Sequence, residues 1–85
     1  MKKEMVVLYY GSSKDARADC ELLGIDKRRV TNIRRGSFMT RTPDGEIEVK
    51  AYLKVSAEHL DKIYREHGRE NILKKMHHVD DESYF

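Results

Sequence analysis

Between Glu46 and Val55 apolar and polar positions alternate without a fault. Ile47, Val49, Ala51, Leu53 and Val55 are interleaved with Glu46, Glu48, Lys50, Tyr52 and Lys54. Strand side chains point to opposite faces with period two, so this stretch predicts a strand with one apolar and one charged face. A half-solvated strand of that kind belongs in an antiparallel sheet. Thr42-Pro43-Asp44-Gly45 stands just before it and predicts a hairpin folding Ser37–Thr42 back onto Glu46–Tyr52. Two registers compete. A type I turn with a bulge at Gly45 pairs Thr42 with Glu46 and sets Arg41 beside Ile47. A two-residue loop of Asp44-Gly45 sets Phe38 beside Ala51 and Arg41 opposite Glu48, which suits the hydrophobic pattern and the charges. The second is favoured, with Gly36 as the candidate bulge that reconciles the two.

Met5 to Tyr10, MVVLYY, is a continuous run of β-formers. It predicts an interior strand covered on both faces. Gly11-Ser12-Ser13 breaks it, and Ser12 has the N-cap position with Asp15 three residues on. The helix Ser13–Leu23 follows, with Ala16, Cys20 and Leu23 in one stripe and Gly24 closing it. This is the first half of a β-α-β unit. In Asp26–Arg35 only Val30 and Ile33 are strongly apolar. We read a second strand from about Arg29, bent at Gly36 and running into Ser37–Thr42. A short helical turn over Asp26–Val30 competes with its start.

Ser56 can cap a further helix, with Ala57, Leu60, Ile63 and Tyr64 as its stripe. Ile72, Leu73 and Met76 fall on roughly the opposite side at about 100° per residue. The mismatch predicts a break at Gly68 and a second short helix from Arg69 to about His77. An unbroken helix would instead need a second copy of the chain, a homodimer, to cover its far side. The order is β-α-β-β-α. It defines an α+β domain over residues 1–79, with a mostly antiparallel sheet of three or four strands and helices on one face. The arrangement resembles a ferredoxin-like fold lacking its last strand, a likeness that carries no function. Residues 80–85 read as a separate acidic tail.

Composition narrows the class. The 85 residues allow one domain with a modest core, and 38% of them are charged. No apolar run approaches a membrane helix, and no signal-peptide pattern follows Met1. Cys20 is the sole cysteine, which fits a reducing cytoplasm, and its place in a helix stripe makes it a small buried hydrophobe. The net charge of +2 hides an asymmetry. From residue 27 to 41 the chain carries Lys27, Arg28, Arg29, Arg34, Arg35 and Arg41 with no acid, while acids outnumber bases elsewhere. Clustered charge of this kind builds a local electrostatic surface.

That segment is the leading candidate site. Lys and Arg attract nucleic-acid phosphates, and Phe38 together with Tyr52 can supply the rings on which unpaired bases stack. The competing view is a solvated face whose arginines pair with Glu46 and Glu48. Gly11-Ser12-Ser13-Lys14 is neither a dinucleotide-binding nor a Walker motif, and it reads as a capped turn. His59 and His67, and His77-His78 with Asp80 and Asp81, lack the helical spacing of a metal site. No catalytic constellation, cofactor motif or metal site is expected.

The tail Asp80-Asp81-Glu82-Ser83-Tyr84-Phe85 resembles the acidic, Phe-ended tip of bacterial single-stranded-DNA-binding proteins. In that family the tip recruits replication and repair partners. The likeness covers six residues, lacks the Ile-Pro that usually precedes the Phe, and does not extend to that family's five-stranded barrel. It implies a partner-binding role for Asp80, Asp81, Glu82, Tyr84 and Phe85. The expectation is a small non-catalytic nucleic-acid-binding accessory protein, cytoplasmic and not membrane-bound. The alternative is a protein–protein interaction module docking on an acidic partner surface, an inhibitor or adaptor of the single-domain kind that phages and mobile elements encode.

Overall fold

The computed structural model describes residues 4–42 and 45–79. Its elements run β1 (Met5–Tyr10), α1 (Ser13–Leu23), a 3-10 turn (Lys27–Arg29), β2 (Thr31–Asn32), β3 (Phe38–Thr42), β4 (Gly45–Val49), β5 (Ala51–Ser56), α2 (Ala57–His67) and α3 (Arg69–Lys75). This is an α+β fold with antiparallel strands, as the pattern predicts. The alternating stretch forms in two pieces either side of Lys50. β5 is the middle strand of a three-stranded sheet ordered β1-β5-β2, and β4 pairs with β3 in a separate ribbon.

β1 and β2 each run antiparallel to β5. They are therefore parallel to each other, and α1 joins them as a β-α-β unit with β5 inserted between its strands. One sheet face carries Leu8 and Tyr10 of β1 and Ala51, Leu53 and Val55 of β5. These pack with Ala16, Cys20 and Leu23 of α1, Leu60 and Ile63 of α2, and Ile72 of α3 in one buried cluster. Burial of apolar surface of this kind is the main favourable term in folding. All three helices lie on this face.

The helix ends follow the predicted chemistry. The Ser12 side chain accepts from the Asp15 amide at 3.2 Å, and the Ser56 side chain accepts from the His59 amide at 3.1 Å. At the end of α1 the Gly24 amide bonds Glu21 O and the Ile25 amide bonds Cys20 O, a Schellman closure. The predicted break falls at Gly68, whose φ of +81° stops α2 and restarts the chain as α3. The change of direction lets Leu60 and Ile63 before it, and Ile72 after it, meet one core. Among the described residues the helix over Ala57–Lys75 is broken, as the stripe mismatch predicts.

Three expectations are corrected. First, β1 is an edge strand with one open face, not an interior strand covered on both. Met5 is 49% and Val7 36% exposed, while Leu8 and Tyr10 are buried. An unbroken apolar run has no periodicity with which to separate its two faces. Second, the stretch after α1 is the 3-10 turn, with Asp26 accepting from the Arg28 amide at 2.9 Å, and the strand begins only at Thr31. Third, the hairpin takes neither register. Thr42 pairs with Gly45, Arg41 with Glu46, and Phe38 with Val49. Pro43 and Asp44, on which the predicted turn rests, lie outside the described residues. The pairing still sets Arg41 across from an acid and Phe38 across from an apolar residue, two places along from those expected.

The two predicted long strands thus pair in two separate segments, β2 with β5 and β3 with β4, with an interruption between them. The Ile33 amide bonds Lys50 O at 2.9 Å, and the next pair is Phe38 with Val49. Arg34, Arg35, Gly36 and Ser37 have no residue opposite them and loop out as a wide bulge. Gly36, the expected bulge residue, has φ +71° there. Among the described residues no helix is long and apolar enough to cross a membrane.

Candidate nucleic-acid interface

Among the described residues no helix packs on the sheet face turned away from α1, α2 and α3, and Phe38 of β3 leans over part of it. Val7 and Tyr9 of β1 and Tyr52 and Lys54 of β5 stand on it, because they alternate with the buried positions of their strands. Tyr9 and Tyr52 are direct cross-strand partners. The Phe38 ring meets the Tyr9 ring edge-on, with centroids 5.3 Å apart and planes at 87°. Aromatic pairs favour that geometry, in which the positive ring edge meets a negative ring face. Val7, Tyr9, Ile33, Gly36, Phe38, Tyr52 and Lys54 enclose an open depression of about 380 Å³. The only charged group lining it, among the described residues, is the Lys54 ammonium.

The bulge forms part of this wall through Gly36. Beside Gly36, Arg34 and Arg35 are exposed, and neither makes an ion pair or side-chain hydrogen bond within the described residues. Ser37 pins the far end of the bulge by donating to Glu48 Oε1 at 2.7 Å. Arg29 lies at the other end of the same sheet, donating to Lys54 O at 3.3 Å. Arg41 is exposed on β3, across from Glu46 without an ion pair between them.

Lys27 and Arg28 are differently placed. Lys27 pairs with Glu21 at 2.5 Å, and Arg28 pairs with Asp26 at 3.0 Å. The Lys27 hydrogen bond holds the Glu21 carboxyl below its usual range, and the Arg28 side chain, then its amide, do the same for Asp26. The six cations are therefore not one strip. Arg34 and Arg35 sit in the bulge beside Gly36, Arg29 bonds the Lys54 carbonyl of β5, Arg41 rides on the ribbon, Lys27 is paired with Glu21 of α1, and Arg28 with Asp26 at the start of the turn.

Other candidates resolve as structure. Cys20 is fully buried, and burial pushes its thiol pKa up, away from reactivity. His59 Nε2 donates to Leu23 O at 2.6 Å, tying α2 to the end of α1. Ser12 is occupied by its cap. No three His, Cys, Asp or Glu side chains converge among the described residues. Asp80, Asp81, Glu82, Tyr84 and Phe85 lie outside the described residues.

Two residues escape a reading of the sequence. Tyr9 completes the aromatic group but is hidden in the unpatterned run MVVLYY. Asp19 is fully buried in the α1 stripe. It accepts from the Tyr10 hydroxyl at 2.7 Å, from the His77 amide at 2.9 and 3.1 Å, and meets His77 Nδ1 at 2.9 Å. An acid three residues after Ala16 and one before Cys20 was the visible signal. Comparison with protein-family models, with curated proteins and with solved structures finds no match to this chain.

Proposed function

We propose that the chain is a small, non-catalytic nucleic-acid-binding accessory protein of the reducing cytoplasm. One juxtaposition carries the reading. Phe38 and Tyr52 face the same apolar depression, and the bulge in its wall carries Arg34 and Arg35 with no acid engaged. Arginine attracts phosphate electrostatically and can bond it with two donors, while rings beside it offer a surface to bases. Lys27 and Arg28 contribute less, because exposed pairs must first be exchanged for phosphate, although such pairs are individually weak. Replacing Arg34 and Arg35 by Gln should weaken binding and lower the slope of log affinity against log salt by about 1 per cation removed. Unchanged affinity and slope would overturn the reading.

A second reading, the protein-interaction module, has one observation of its own. Glu4 O bonds the Ala57 amide and Tyr10 O bonds the Lys50 amide, so even-numbered peptide groups of β1 face β5. The odd-numbered groups face outward. Val79 donates to Tyr9 O at 2.8 Å, and Met5 and Val7 have no strand beside them among the described residues. An open edge can template an incoming strand from an inhibited or adapted partner. Recovery of a defined protein after nuclease treatment, lost on Val7→Pro, would favour this reading over the first.

A further inference from the structure

Resting on the nucleic-acid reading, we infer that the open sheet face receives unpaired bases, so that the ligand is single-stranded nucleic acid and not duplex. Tyr9, Phe38 and Tyr52 form the stacking group.

The depression decides between the two. A duplex keeps its base faces stacked inside and presents phosphates and groove edges. It would meet Arg34 and Arg35 but leave the rings unused. A single strand exposes base faces together with its phosphates, and this surface has a counterpart for each. Phe38 is 38% exposed even after packing edge-on against Tyr9, so the ring retains free area. Val7 and Ile33 extend the apolar wall, and a space of about 380 Å³ is within the range of sites that take small planar groups. Lys54 at one side, with Arg34 and Arg35 in the bulge beside Gly36, places cations where a backbone would leave the stacked base. Among the described residues no acidic side chain lines the space to repel it. Aromatic stacking tolerates any base, because every base has a π-face, so little sequence preference is expected.

The phosphate term and the stacking term rest on different residues, so their failures can be told apart. The test measures fluorescence anisotropy of labelled oligothymidylate, oligouridylate and a mixed-sequence duplex of equal length at one salt concentration. It uses the full chain and its Phe38→Leu, Tyr52→Leu and R34Q/R35Q variants. Leucine keeps apolar volume and removes the ring, and circular dichroism melts confirm that each variant folds. The inference expects both single strands to bind more tightly than the duplex. Each leucine variant should lose about tenfold for single strands and leave duplex binding unchanged. A preference between the DNA and RNA strands supports the inference in either direction and separates the two sources. Equal or tighter duplex binding, indifferent to both leucine variants but weakened by R34Q/R35Q, overturns the inference and leaves nucleic-acid binding standing. Absence of binding to all three probes overturns both and turns attention to a protein partner.

Discussion

Asp19 is the residue on which the packing of the C-terminal segment depends. A buried carboxylate is tolerable only when hydrogen bonds replace its lost water, and here Tyr10 and His77 supply them. Asp19→Ala should cost about 2–4 kcal/mol in urea unfolding, since it strands the Tyr10 hydroxyl and the His77 amide. Burial first, and the Asp19 carboxylate next, push the Tyr10 hydroxyl pKa far above the usual tyrosine range. The unfolded chain releases that proton near pH 10 while the folded protein keeps it. The contribution is therefore complete below about pH 10, and stability falls as pH rises beyond it. Tyr10→Phe should be less stable at neutral pH yet show a shallower alkaline loss. An alkaline slope equal to the parent's would refute this account of Tyr10. Ala16, Cys20 and Leu23 were legible because helical periodicity is local. The Asp19 network was not, because its partners lie 9 and 58 residues away along the chain.

At the scale of elements, punctuation was read more reliably than pairing. Gly24, Gly36 and Gly68 mark a helix end, a bulge and a helix break, each at the expected position. Gly68 is the most exacting of them. A Cβ there would stand 3.1 Å from Asn71 Nδ2, on a backbone with positive φ. Gly68→Ala should cost about 1–2 kcal/mol in thermal or urea unfolding, whereas an exposed helical Gly→Ala change would stabilise. The hairpin register was legible only in kind. Charge and apolar matching fix which side chains face one another, but a shift of two residues preserves that matching, and the pairing of Thr42 with Gly45 selects the actual one. The break at Lys50 between β4 and β5 was not legible at all, since Glu46 to Val55 alternates straight through it. What divides the two strands is the bulge on the opposing chain, where Arg34 to Ser37 have no counterpart.

For the whole molecule, the same three-dimensional arrangement that builds the core leaves one sheet face without a helix on it among the described residues. Helices α1, α2 and α3 all pack on the other side. The sequence named Phe38, Tyr52 and the six cations as a group, and the fold divides that group. Phe38 and Tyr52 line one depression with Tyr9 added, Arg34 and Arg35 sit in the bulge beside its Gly36 wall, and Lys27 and Arg28 are tied to Glu21 and Asp26 respectively. Because these last pairs are exposed, raising the salt should release Lys27 and Arg28 from their acids at little cost in stability. The account stands on phosphate attraction through the bulge. Its most direct test is the salt dependence of anisotropy-measured affinity for a labelled single strand, for the parent chain and the R34Q/R35Q variant. The account predicts affinity that falls steeply with salt in the parent, at about 0.7 in log slope per phosphate met, and a clearly shallower line in the variant. No binding at low salt, or two lines that coincide, would contradict it.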